Sequence, residues 1–137
     1  MEEKYKGPER RESARLEQDI PVEYNFIDDV KSKELSKKKK GLIRNISAEG
    51  GRLEVDELEE AWMEGLYSGL IKLGLEIKLP GEQRTLRAIA KVVWLTKALQ
   101  ESDLSLTKYV LGLEFLDITT SDQDTIRNYV INFYLGE

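Results

Sequence analysis

The chain contains no cysteine and no histidine. Without thiols there is no disulfide framework, no thiolate metal site and no cysteine nucleophile. Without imidazole it lacks the commonest general base and the commonest metal ligand. Catalysis would have to rest on carboxylates, Lys, Tyr or Ser, so the composition points away from an enzyme. Proline is scarce, with 3 in 137 residues. No apolar run approaches the ~20 residues of a membrane span. The amino-terminal MEEKYKGPERRESAR is charged and lacks the apolar stretch of a secretory signal. The expectation is a cytoplasmic protein with no membrane insertion.

What is present is an ordinary globular mixture, 40% hydrophobic and 34% charged. Its length fits one domain, residues 1–137, with a core that needs no staples. The net charge of −5 is unevenly spread. Residues 1–44 carry 12 Lys+Arg against 10 Asp+Glu, whereas residues 45–137 carry 9 against 16. An acidic chain is a poor binder of nucleic acid polymers, whose affinity comes largely from neutralised phosphates. A small ligand with one or two phosphates needs only a local basic patch, and the first third supplies one.

Residues 1–19 show no apolar period and read as a flexible arm. Ile20, Val22, Tyr24 and Phe26 alternate with polar residues, the pattern of a half-buried strand. Residues 28–40 read as a charged connection, and the run Lys37–Lys40 as solvated charge. GLIRNI (41–46) reads as a second strand and SAEGG as a turn in which Gly50 and Gly51 can take positive φ. A third strand starts at Arg52. In the stretch 57–69, Leu58, Trp62 and Leu66 recur at helical spacing, as a lid, a partner surface or a packed helix. Alternation returns over 70–79 and 109–118; 85–95 reads as a long strand apolar enough to be buried on both faces for part of its length, and 97–105 as a loop. Ile126, Tyr129, Val130 and Phe133 follow at i, i+3, i+4 and i+7, an amphipathic helix capped by Thr120 or Ser121, with Asp124 completing the box. Sequential antiparallel strands hide their edges by closing. The expected fold is a mainly β, six-stranded antiparallel β-barrel over 20–118 with a carboxy-terminal α-helix over 120–135.

Two spots carry chemistry. Arg10, Arg11 and Arg15 place three guanidiniums within six residues, a cluster that repels itself until an anion arrives. Guanidinium binds phosphate bidentately, reads guanine O6 and N7 in the same manner, and stacks on a base. A ligand containing both guanine and phosphate engages all three modes. The second spot is Asn45-Ile46-Ser47-Ala48-Glu49-Gly50. On a strand, Asn45 and Ser47 point to one side, and Gly50 permits a tight turn and close backbone approach. Either spot alone also reads as ordinary turn or surface chemistry.

Together, Arg11-x-x-x-Arg15 and, 30 positions after Arg15, Asn45-x-Ser47-x-x-Gly50 resemble the motifs of the PilZ domain, a bacterial family of cyclic di-GMP receptors. LEIKLPG followed by AKVVW resembles the family's central hairpin, and YVLGLEFLDIT its last strand ahead of the terminal helix. The likeness covers about residues 8–134. It implies a six-stranded barrel whose arginine arm closes over the ligand. Arg11 and Arg15 would engage guanine edge and phosphates; Asn45 and Ser47 would bind the second guanine or order the arm. Arg10, just before the motif, goes with a stacked pair of cyclic di-GMP molecules. Trp94 matches an aromatic near the pocket in some relatives, and equally reads as core packing. The implied function is a receptor that changes conformation and passes the signal to a protein partner in motility, biofilm or exopolysaccharide control. The alternative is an adaptor that uses the same scaffold without obligatory nucleotide. No cofactor is expected beyond the ligand.

Overall fold

Alternating apolar residues need a surface to bury against, and here they bury against one another by wrapping the sheet into a tube. The computed structural model describes residues 18–99 and 107–135. Seven strands, β1 (Ile20–Asp28), β2 (Lys33–Glu34), β3 (Lys39–Ser47), β4 (Gly50–Val55), β5 (Ile71–Ile77), β6 (Leu86–Leu99) and β7 (Thr107–Ile118), are joined by antiparallel pairings. Six close the barrel in the order β1-β3-β4-β7-β6-β5, with β5 pairing back to β1. The short β2 lies along the same edge of β1 as β3, beyond its end. The expected mainly β fold, a closed six-stranded antiparallel barrel with a carboxy-terminal helix, is the one observed.

The interior is filled by the predicted faces. Ile20, Val22, Tyr24 and Phe26 from β1 meet Leu73, Leu75 and Ile77 from β5 and Leu111, Leu113 and Phe115 from β7. Burial pushes the Tyr24 phenol above its ordinary pKa, reinforced by the carboxylates of Asp56 and Glu57. The 28–40 connection differs from expectation. It contains β2, and β3 starts at Lys39, because the chain turns at 29–32 through Ser32 at φ 52° and returns along β1 at once. Likewise β6 runs to Leu99 and β7 starts at Thr107, so residues 97–99 of the expected 97–105 loop are strand.

Helices lie at the two ends. The 57–69 stretch is a packed element: a 3₁₀ turn (Glu60–Trp62) leads into α1 (Met63–Ser68), whose Leu66 is fully buried. The Trp62 ring packs on Phe26 with centroids 4.9 Å apart. A side chain on Gly65 would meet Ile71 Cδ1 at 2.6 Å, so the residue that weakens the helix also lets it lie on β5. α1 ends at Gly69, left-handed at φ 86°.

The second helix, α2 (Thr120–Tyr134), is capped by Thr119, whose hydroxyl accepts from Asp122 N–H at 3.0 Å, rather than by Thr120 or Ser121. The cap moves because Asp122 is needed inside, where it accepts from Arg84 and from Arg87 N–H at 3.1 Å. Ile126 and Val130 bury as expected, but Phe133 is exposed and packs edge-on against Tyr134. Among the described residues no helix is long and apolar enough to cross a membrane.

Candidate functional site

Two of the three irregularities in the strand ladders define one patch of outer wall. Between Arg44 and Ser47, β3 carries one more residue than β4. Between Val92 and Trp94, β6 carries one more than β7. A bulge re-aims the side chains that follow it, because strand alternation has period two. On β6 the inward series Leu86, Ala88, Ala90, Val92 would continue to Trp94, but the extra residue turns Trp94 outward, 42% exposed. Trp94 is therefore not core.

The indole lies over Gly112, where any Cβ would meet Trp94 Cε2 and Nε1 at 2.2 Å. The Arg52 guanidinium stands 6.0 Å from the ring centroid, within cation–π range. Cross-strand pairing lines up Arg44, Arg52, Gly112 and Trp94 as one row over β3, β4, β7 and β6. Arg44 and Arg52 are directly opposite, and like charges so placed repel. The row borders a cavity of about 240 Å³ lined by Asn45, Gly51, Arg52, Val93, Trp94 and Gly112 among others. One cation, an aromatic face and a carboxamide thus line one shallow opening, with Arg44 next in the row beside Arg52, a set suited to a base and a phosphate.

The bulge on β3 also explains the residue types of its motif. Asn45 sits at φ 61°, a left-handed conformation that Asn tolerates and β-branched residues do not. Asn45 and Ser47 consequently do not behave as alternating neighbours. Asn45 faces the cavity with Trp94, whereas Ser47 is fully buried and its Oγ accepts from Glu49 N–H at 3.1 Å. Gly50 and Gly51 do not take positive φ; the turn gets its curvature from Asn45 and the Ser47 hydroxyl. Gly50 is required by close approach to the neighbouring strand, since a Cβ would stand 2.0 Å from the Leu113 carbonyl oxygen. The turn is held further by Phe115 N–H donating to Glu49 O at 2.8 Å and by the Gln123 amide of α2 donating to Ala48 O at 3.0 Å.

Arg10, Arg11 and Arg15 lie outside the described residues. The chain enters the described region at Gln18, which accepts from the Tyr129 hydroxyl at 3.0 Å, and at Asp19, whose carboxylate takes the Arg44 Nε–H at 2.7 Å. That hydrogen bond holds the Asp19 carboxyl below its usual pKa. Arg44, Arg52 and Gly112 escaped the sequence reading. The available signal was Gly112 between apolar neighbours opposite a tryptophan, visible only once the register is known. Among the described residues no carboxylate group is placed to hold a metal ion.

Comparison with known proteins agrees with this architecture. The sequence profile of the PilZ domain matches residues 9–132. No curated protein sequence matches the chain. Among solved structures, the Bacillus subtilis inhibitor of motility (MotI/DgrA) superposes with a TM-score of 0.62 at 23% identity, over 93% of this chain and 52% of that one. The K. pneumonia MrkH–c-di-GMP complex gives 0.63 at 14% identity, over 92% and 52%. The PilZ domain of Escherichia coli YcgR with c-di-GMP gives 0.56 at 10% identity, over 92% of both chains. The chain spans about half the length of MotI/DgrA and MrkH, and at these identities the likeness is one of fold. Taken with the profile match over nearly its whole length, the barrel, bulged turn and closing helix show that this chain belongs to the PilZ domain family.

Proposed function

We propose that this PilZ domain is a receptor for cyclic di-GMP and not an enzyme. The carrying observation is the row Arg44–Arg52–Gly112–Trp94 beside Asn45, with the amino-terminal segment tied to its first member through Asp19. Arg15 precedes Asp19 by four residues, so its Cα can lie at most about 14 Å from that of Asp19; for Arg11 the limit is about 28 Å. Both guanidiniums can therefore reach the row. Arg11 and Arg15 supply the forked donors for guanine and phosphate, and Asn45 a carboxamide at the rim. Trp94 offers a stacking face, and Arg10 extends the charge to a second, stacked ligand molecule. Ser47 and Gly50 act by shaping the turn that presents Asn45. The two facing arginines relax when an anion sits between them, which couples binding to the position of Arg44, of Asp19 and hence of the segment before it. A cytoplasmic location fits a bacterial second messenger, and the displaced segment would present a changed surface to a protein partner.

Isothermal titration with cyclic di-GMP, beside GTP and cyclic GMP, tests this. Micromolar or tighter binding is expected for cyclic di-GMP alone, with stoichiometry fitted freely and affinity falling as salt rises. Arg15→Ala should weaken it at least tenfold. Equal binding by wild type and Arg15→Ala sinks the reading.

A further inference from the structure

A second stretch of the barrel's outer wall carries a groove that the nucleotide reading leaves unused. It is a cavity of about 380 Å³ on the outer faces of β1, β5 and β6, bounded by β2 on one side and the end of β7 on the other. At its floor is Asn25, only 5% exposed. Among the described residues its carboxamide has no hydrogen-bond partner, although buried amides are nearly always paired. The side chain lies across Gly74, where a Cβ would meet Asn25 Oδ1 at 2.7 Å. Glycine at 74 thus makes room for a polar group that nothing in the described protein satisfies.

The surrounding charge says what would satisfy it. Two cations line the groove, Lys38 and Arg87, and both turn toward Glu76, at 2.5 Å and 3.8 Å. The Lys38 hydrogen bond holds the Glu76 carboxyl below its usual pKa, so that carboxylate is ionised and already neutralised. Glu23, Glu34 and Asp117 remain, and none has an ion-pair partner among the described residues. An anion is excluded from such a surface. A single small cation is also a poor fit. Glu34 on β2 and Asp117 on β7 are separated by β1, β5 and β6, an arc of roughly 19 Å at four inter-strand spacings.

We propose that this groove docks a basic segment of a partner protein, with arginines or lysines that meet Glu23, Glu34 and Asp117 while a polar group of the same segment pairs with Asn25. The groove and the Trp94 cavity share no lining residue, so partner and nucleotide can be held together. The inference does not rest on the nucleotide reading.

The test is a titration of the ¹⁵N-labelled full chain with acetyl-Arg-Gly-Arg-Gly-Arg-amide, followed by NMR. Saturable shifts of the Asn25 side-chain amide and the Gly74 backbone amide are expected, with none from the glutamine analogue of the peptide. The triple variant Glu23→Gln, Glu34→Gln, Asp117→Asn should bind the peptide at least tenfold more weakly and cyclic di-GMP as the wild type does. Equal shifts with the glutamine peptide, or shifts spread evenly over the acidic surface, overturn the proposal. So does agmatine binding as tightly as the peptide, which would make the groove a small-cation site.

Discussion

At one end of the barrel α1 contributes Leu66 and the neighbouring Trp62 ring to an apolar plug; at the other α2 buries Ile126 and Val130 as well and adds directional polar contacts. Asp122 accepts from Arg84 and from Arg87 N–H, and Gln123 donates to Ala48 O in the turn that carries Asn45. An apolar plug gains by excluding water and has no directional preference. Polar fastenings have geometry, and a shift in one partner is felt by the other. Both ends therefore stabilise the barrel, and the α2 end also connects it to the Asn45 turn and, through Tyr129 and Gln18, to the entering segment.

The sharpest way to break that contrast is to damage each end separately. Leu66→Ala should cost about 2–5 kcal/mol of stability, read as a fall in the urea midpoint, because a fully buried leucine leaves a cavity. Cyclic di-GMP affinity of the folded fraction should be unchanged. Asp122→Ala should cost less, about 1–3 kcal/mol, by leaving the Arg87 N–H unpaired in a partly buried place. It should nevertheless weaken cyclic di-GMP, since Gln123 then holds the turn less firmly. If Leu66→Ala weakens the ligand more than Asp122→Ala does, the division between the two ends is wrong.

A smaller effect separates conformation from chemistry within the turn. Asn45 is at φ 61°, so Asn45→Gly should leave thermal stability nearly unchanged, whereas Asn45→Val should lose about 1–2 kcal/mol to left-handed strain. Both remove the carboxamide, and both should weaken cyclic di-GMP several-fold. Full binding by Asn45→Gly would reduce the residue to a conformational device.

The strands were legible because Ile20–Phe26, Leu73–Leu79 and Tyr109–Phe115 alternate cleanly, and a barrel needs little else. The short helical element at 60–68 showed through the spacing of its apolar residues too. What stayed hidden was local. A bulge is one extra residue, leaves no mark in composition, and reverses every side chain after it. That is why Trp94 read equally as core or pocket, and why Asn45 and Ser47 read as neighbours on one face. The cap at Thr119 lies one residue before the reading at Thr120, and the inward turn of the Asp122 side chain to Arg84, 38 positions away, leaves no local signal. The Asn, Ser and Gly of the turn were legible as a motif but not in their separate jobs: a left-handed φ, a hydroxyl for Glu49 N–H, and clearance for the Leu113 carbonyl.

The smallest effect tests how the entering segment is tethered. The chain has no histidine and no cysteine, so no side chain with an ordinary pKa titrates between about pH 5 and 8. Asp19 is lowered chiefly by its hydrogen bond from Arg44. A carboxyl with a folded pKa below its unfolded value contributes stability that is present above the unfolded pKa and lost as pH falls through the folded one. The tether should therefore be constant from pH 8 down to about 5 and open only below the ordinary carboxylate range. An NMR titration of the Asp19 carboxyl carbon should show its midpoint rise toward the ordinary value in Arg44→Gln, and rise partly in high salt, because both partners are half exposed. An unchanged midpoint in Arg44→Gln would mean that Asp19 is held by something other than the arginine row, and the link between that row and the entering segment would fail with it.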